Sequence, residues 1–387
     1  MRTRNRQLAV KTETTPGSIE TLTSADVVCL IREGDAIEPD LERYETGEVQ
    51  PYSSQRPGLV GRRMLGLAVS YILRGSAALA TPTTVHPLLT AAMLTKSTVK
   101  SIAIGTITGG PFVDGETITG GTSAATGRVF RACSATPLRY IVLTGTFVTS
   151  EVITGGTSTA HATSSAGPTD GGFAYEPADS TFSGAASKHH VSARLFEDGF
   201  FWEGRGMLSN LILNFRNGHP VQVSQRLVGS FNAKGDANPF TLTTYPEQAV
   251  TPPRFLNTSL KFGAYSPTDI VEMTMTVETN PEAREDANST AGDGVLYADY
   301  LKAYPVLRVE PAMVTAATYD YFGTLIAGTT FAVTWKLTGS AGSNWDFFAD
   351  EAQLISVGAG DRRGLAVAPI EIGLFGIRNN EFAIWQH

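Results

Sequence analysis

The sequence predicts a mainly β protein of the β-sandwich or barrel kind. Glycine is abundant (39 of 387 residues) and charged residues make up only 17% of the chain. Thr, Val and aromatic residues recur in short alternating runs bounded by turn residues, the pattern of half-buried strands. A hydrophobic content of 42% is enough to build a real core. The length suits about two or three domains, or one domain with a large insertion.

Residues 1–33 read as extended, with a Thr/Pro/Gly turn over Thr14–Ser18. Residues 34–75 read as two β segments around a Gly/Pro-rich connection, the second being the apolar run Met64–Leu73. His86–Lys96 has helical spacing: Leu88, Leu89, Ala92 and Met93 share a face, and Pro87 stands near the start, where its missing N–H costs nothing.

Residues 99–169 change character. "FVDGETITGGTSAATGRV" from Phe112 returns as "FVTSEVITGGTSTAHATS" from Phe147, 35 positions later. The repeat aligns Phe112 with Phe147, Ile118 with Ile153, and Gly120-Gly121 with Gly155-Gly156. Each copy predicts a strand, a turn and a strand, and two copies are too few for a free-standing solenoid. The expectation is an accessory β insertion of two hairpin-like units. It divides the chain into 1–98, 99–169 and 170–387, the outer parts forming the main domain and the last holding a second, similar unit.

From Val191 the globular pattern returns. Leu211, Leu213 and Phe215 alternate before Asn217-Gly218, and Val221 and Val223 alternate after it, a hairpin signal. Phe331, Val333, Trp335 and Leu337 alternate in a later strand, and two more strands close the chain around Asn379-Asn380. Val295, Ala298, Tyr300, Leu301 and Tyr304 recur near helical period and predict a second helix.

Composition and motifs exclude several functions. The formal net charge is -7, whereas nucleic-acid binding proteins carry a basic face, and Arg2, Arg4 and Arg6 form the one short basic cluster. Two cysteines, Cys29 and Cys133, make neither a disulfide framework nor a zinc pattern, and fit a reducing cytoplasm. The start lacks the apolar stretch of a signal peptide, and no apolar run has membrane-spanning length. The six histidines form no spaced metal set; His189-His190 reads as a solvated strand edge. Phosphate-loop, dinucleotide and nucleophile-elbow motifs are missing, so no cofactor is expected.

Carboxylates form the one charged pattern. Asp35, Glu38, Asp40, Glu42, Glu45 and Glu48 face a single base, Arg43, in the first segment. Asp269, Glu272, Glu278, Glu282, Glu285, Asp286, Asp293 and Asp299 surround Arg284 in the second. A glycosidase needs two such groups across a cleft, a solvated edge needs none, and one shared acidic surface is a third reading. "IEPDLER" at Ile37 and "VETNPEARED" at Val277 also match loosely, as two copies of one hairpin unit would.

Taken in order, several stretches resemble the tail tube (major tail) proteins of long-tailed bacteriophages. They are "RQLAVKTETTPGSIETLTSADVVCLIREGDAIEPDLER", "VHPLLTAAML", "LILNFRNGHPVQVSQRLVGSF", "DIVEMTMTVETNPEAREDAN" and the closing "AQLISVGAGDRRGLAVAPIEIGLFGIRNNEFAIW". The resemblance covers 5–96 and 190–387. It implies a non-enzymatic virion protein, assembled in the host bacterial cytoplasm, with a tail-tube β-sandwich or barrel domain flanked by a helix. Its subunits would form stacked rings, as hexamers or as trimers with pseudo-sixfold symmetry, around a channel for double-stranded DNA. The implied partners are itself and other tail proteins (tape measure, terminator and distal tail proteins), with no membrane. Asp35, Glu38, Asp40, Glu42, Glu45, Asp269, Glu272, Glu278 and Glu282 are then candidates to face the channel, because an acidic wall repels phosphate. The insertion would lie outside the tube. The alternative from the residues alone is a saccharide-binding tail fibre or adhesin module.

Overall fold

The computed structural model describes residues 6–31, 36–45, 57–177, 189–245, 248–288, 295–300, 305–376 and 381–387. The fold is mainly β, and every pairing between its strands is antiparallel. Alternation decides which side of each strand is buried: Leu65, Leu67, Val69 and Tyr71 point into the core from one strand, and Leu211, Leu213 and Phe215 from another.

Two sheets share one strand order. In the first, Arg6–Thr12 pairs with Val191–Glu197, then Phe200–Ser209, Gln222–Asp236, Leu59–Ile72 and finally Ala36–Tyr44. In the second, Lys261–Phe262 pairs with Thr330–Leu337, then Trp345–Val357, Ile370–Phe375, Val306–Val309 and finally Glu272–Val277. The strand Leu211–Arg216 is the seam: it pairs with Gln222–Ser224 of the first sheet and with Glu272–Val277 of the second. One core runs beneath both, and Phe215 sits edge-on to Trp335 and Phe347, ring centroids 5.9 and 5.5 Å away.

The likeness extends along the chain. Strands starting at Ala36 and Leu59 have counterparts starting at Glu272 and Val295, each 236 positions later. A short helix comes next in both sets: His86–Ala91 and Tyr321–Ala327. A residue in the left-handed region follows each helix, Met93 at φ 62° and Gly328 at φ 61°. The expected match of Ile37 with Val277 is therefore corrected. By strand position Ile37 corresponds to Met273.

The helix expected over His86–Lys96 ends at Ala91, and the chain reverses at Met93 into the strand Leu94–Ile102. The helix expected around Val295–Tyr304 is corrected to a strand, Val295–Tyr300, paired with Pro281–Glu285. Its register shifts between Arg284 and Glu285, so Leu296 is an extra residue. That bulge brings Val295 and Ala298 to one buried face, which imitates helical spacing. Sequence reading missed Tyr321–Ala327, capped by the Asp320 carboxylate accepting from Gly323 N–H at 2.8 Å. The closing strands are Ile370–Phe375 and Ala383–Gln386; the Asn379-Asn380 turn lies outside the described residues.

The insertion grows from a stalk, Leu94–Ile102 paired with Thr169–Pro177, and encloses its own core of Phe112, Ile118, Tyr140, Phe147 and Ile153. Its two repeats are related by a local twofold centred on the pair Thr119 and Thr154. Each repeat clasps the other. The Glu151 carboxylate accepts from N–H of Thr122 (3.2 Å) and Ser123 (3.0 Å) in the opposite turn and of Val148 (2.5 Å) in its own copy. The Glu116 carboxylate accepts from Thr157 (3.1 Å), Ser158 (2.9 Å) and Val113 (2.7 Å). The glycine pairs follow from this. A Cβ on Gly120 would come 2.5 Å from a Glu151 oxygen, and one on Gly155 would come 2.7 Å from a Glu116 oxygen. The phrase is written twice because each copy supplies the carboxylate that the other copy's turn requires.

Candidate functional site

The acidic segments become two hairpins. Ala36–Tyr44 with Leu59–Ile72 forms the first, and the outer arm of the second is Pro281–Glu285 with Val295–Tyr300. The outer arm packs against the main body. Buried His190 donates from Nε2–H to the Ala298 carbonyl at 2.7 Å, and its ring meets Tyr297 edge-on. His190 is thus core, and the expectation of a solvated histidine pair is corrected for it. Burial, then the neighbouring His190, pushes the His189 pKa down to about 4.

Alternation puts Glu38, Asp40 and Glu42 on one side of their strand, while Ile37 lies on the side of core residue Leu67. Arg62 joins the two hairpins: its guanidinium lies 2.8 Å from Glu285 and 3.8 Å from Glu42. Glu38 pairs with Arg226 at 2.7 Å. These pairs are solvent-facing, so each contributes only about 0–1 kcal/mol. They organise the surface more than they stabilise it.

The nine candidates do not all gather. Glu38, Asp40, Glu42 and Glu45 lie along the first hairpin, and Glu282 is exposed on the arm that Arg62 ties to it. Asp40, Glu45, Glu278 and Glu282 have no ionic partner among the described residues. Glu272 stands at the other end of the second hairpin, opposite Arg216 at the seam. Asp269 precedes that strand with φ 58°, its carbonyl accepting from Arg362. Asp35 lies outside the described residues. Sequence reading missed the arginines. Arg62 and Arg226 sit in apolar strands far from the carboxylates in sequence, so no local charge pattern marks them.

Nothing among the described residues forms a metal-ligand cluster, and no helix there is long and apolar enough to cross a membrane. Cys29 and Cys133 are free thiols, and burial pushes the Cys133 thiol up despite its contact with the Ala135 carbonyl. The arrangement is an exposed, mostly acidic face of two adjoining hairpins, one of which ends in a strand, Ala36–Tyr44, paired on one side only among the described residues. No family model matches the chain, and no curated protein matches it.

Proposed function

We propose that this chain is a structural virion protein that self-assembles into stacked rings, forming a phage tail tube through which the genome passes. One observation carries the reading: two like sheets stand side by side in one chain, each with an acidic hairpin, joined strand to strand at a seam. Such a unit can be extended by further copies, because each new pairing satisfies backbone groups that an edge leaves exposed. Closing the series into a ring removes the edges. The hairpin carboxylates then line the channel, where they repel phosphate and let DNA slide without binding. With two tube units per chain, three chains make a pseudo-sixfold ring, and the insertion projects outward from it.

Negative-stain microscopy of the purified chain at high concentration tests the proposal. Rings or tubes with threefold lobes support it. Particles that stay single at every concentration refute it.

A further inference from the structure

Resting on the ring reading above, we infer that the seam inside the chain is the template for its contact with a second copy. The edge Leu354–Val357 of one copy pairs antiparallel with the edge Ala36–Leu41 of the next.

Register carries over from the first sheet to the second. Gln222 pairs with Ile72 in the first sheet, and Glu371 pairs with Arg308 in the second; Ile72 and Arg308 are 236 positions apart, like the strand starts. Gln222 and Glu371 are therefore equivalent. Sequence agrees, since Pro220-Val221-Gln222-Val223 is echoed by Pro369-Ile370-Glu371-Ile372. Asn214 pairs with Gln222, and Ser356 pairs with Glu371, so the seam strand has its counterpart in the end of Trp345–Val357. Burial follows the same mapping: Leu213 and Leu354 are both buried, as are Val223 and Ile372.

At the seam, Leu211–Arg216 accepts Glu272–Val277 on its outer edge. The counterpart of Glu272–Val277 is Ala36–Leu41, which among the described residues pairs only on its Leu59–Ile72 side. The counterpart of Leu211–Arg216 likewise has no second strand there among the described residues: its neighbour Thr330–Leu337 stops pairing at Gln353, and the element that also packs on this strand is the helix Tyr321–Ala327, which offers no ladder. Both halves of a second seam are present in one chain, each without a partner strand among the described residues.

Transferred residue by residue, Asn214 opposite Thr274 becomes Ser356 opposite Glu38 of the next copy. Phe215 opposite Met273 becomes Val357 opposite Ile37, and Leu213 opposite Met275 becomes Leu354 opposite Pro39. Pro39 cannot donate to a ladder, and the register shift at Ile355 falls beside it, where a bulged strand tolerates the missing donor. Ile355 and Leu41, 43% and 54% exposed in the single chain, flank the contact. Glu38 and Asp40 would oppose one another if this edge paired with itself, which disfavours a twofold contact. The contact is therefore head-to-tail, and a head-to-tail contact that closes makes a ring.

The test uses the full chain carrying Ser356→Cys and Glu38→Cys. Directly opposed residues bring Cβ atoms to about 4.5–5.5 Å, close enough for a disulfide to form with slight adjustment. After mild oxidation, a non-reducing gel should show most of the chain shifted into covalent multimers ending at one closed size. The parent chain and the off-register pair Val357→Cys with Asp40→Cys should stay monomeric. The pair Val357→Cys with Ile37→Cys repeats the measurement if the first variant misfolds by circular dichroism. Rings seen by microscopy without cross-linking in either pair overturn this contact and leave the tube reading standing. Cross-linked multimers that never stack support the contact and refute the tube.

Discussion

Replacing Glu151 with alanine should open the insertion and leave the main sheets closed. The carboxylate serves three backbone N–H groups and the Ser123 hydroxyl, and Glu151 is 1% exposed. Burial raises its pKa, but the bonds from Ser123, Val148 and Thr122 outweigh burial and hold it below the ordinary carboxylate range. It is therefore charged at neutral pH. A hydrogen bond to a charged group contributes about 1.5–3 kcal/mol, and an orphaned buried donor costs about 1–3 kcal/mol. Thr122 is exposed and Ser123 half-buried, so water can rescue part of the loss. The expected destabilisation is about 2–4 kcal/mol, a large share of what holds a small domain together. The twofold makes a stricter demand: Glu116→Ala should cost the same within about 1 kcal/mol, the spread ordinary context effects allow. Hydrogen exchange read by mass spectrometry on peptides from 110–168 measures both. Unchanged exchange in either variant, or protection lost equally from Leu65–Tyr71 in the main core, would refute the reciprocal clasp.

Gly155→Ala should mimic much of this loss, since its Cβ meets Ser158 Oγ at 2.6 Å and a Glu116 oxygen at 2.7 Å; an exchange rate like the parent's would show that the glycine is a mere turn residue. Ser101 and Thr169 are paired across the stalk, so removing 102–168 and joining the ends through Asn-Gly should preserve the main fold. The shortened chain should bind more of an apolar dye, because Phe130 no longer covers Phe348 and Trp385, and failure to fold would make the insertion part of the core. Glu38, Asp40 and Glu42 changed together to Lys should lower the melting temperature little, as exposed pairs contribute about 0–1 kcal/mol each. In assembled particles the same change should slow DNA release in a salt-dependent way, and unaltered release from normal tails would place these residues off the channel. Stability should fall as pH drops from about 6.5 to about 4. Burial, then Lys96, depresses the His86 pKa to about 4, and His189 behaves alike, so the unfolded chain binds those protons first. Their contribution is fully present above the unfolded pKa and is lost as pH falls through the folded one. Glu13 opposes them, because burial raises its pKa despite bonds from Gly206, Ser192 and Gly17. Melting curves from pH 7.5 to 4.5 should show the net decline, and a His86→Phe variant with an unchanged slope would remove that residue from the account.

Local pattern was enough for the mainly β class, the strands Leu211–Arg216 and Thr330–Leu337, and the paired units of the insertion. Period-two alternation and turn residues act within a few positions, so they are written where they operate. The same locality misled at Val295 and Ala298, where a bulge in a paired strand produces the spacing of a helix. It also misjudged His190, which is buried by strands far away in sequence. The acidic residues were visible, but their grouping was not, because Arg62 and Arg226 reach them only through strand pairing. The repeated phrase could be read at once, whereas its reason required the twofold that brings Glu151 to Ser123 and Glu116 to Ser158. Composition determined that this protein would be built of strands. Register between distant strands, which follows from packing across the whole core, decided which carboxylates stand together and which edges remain open.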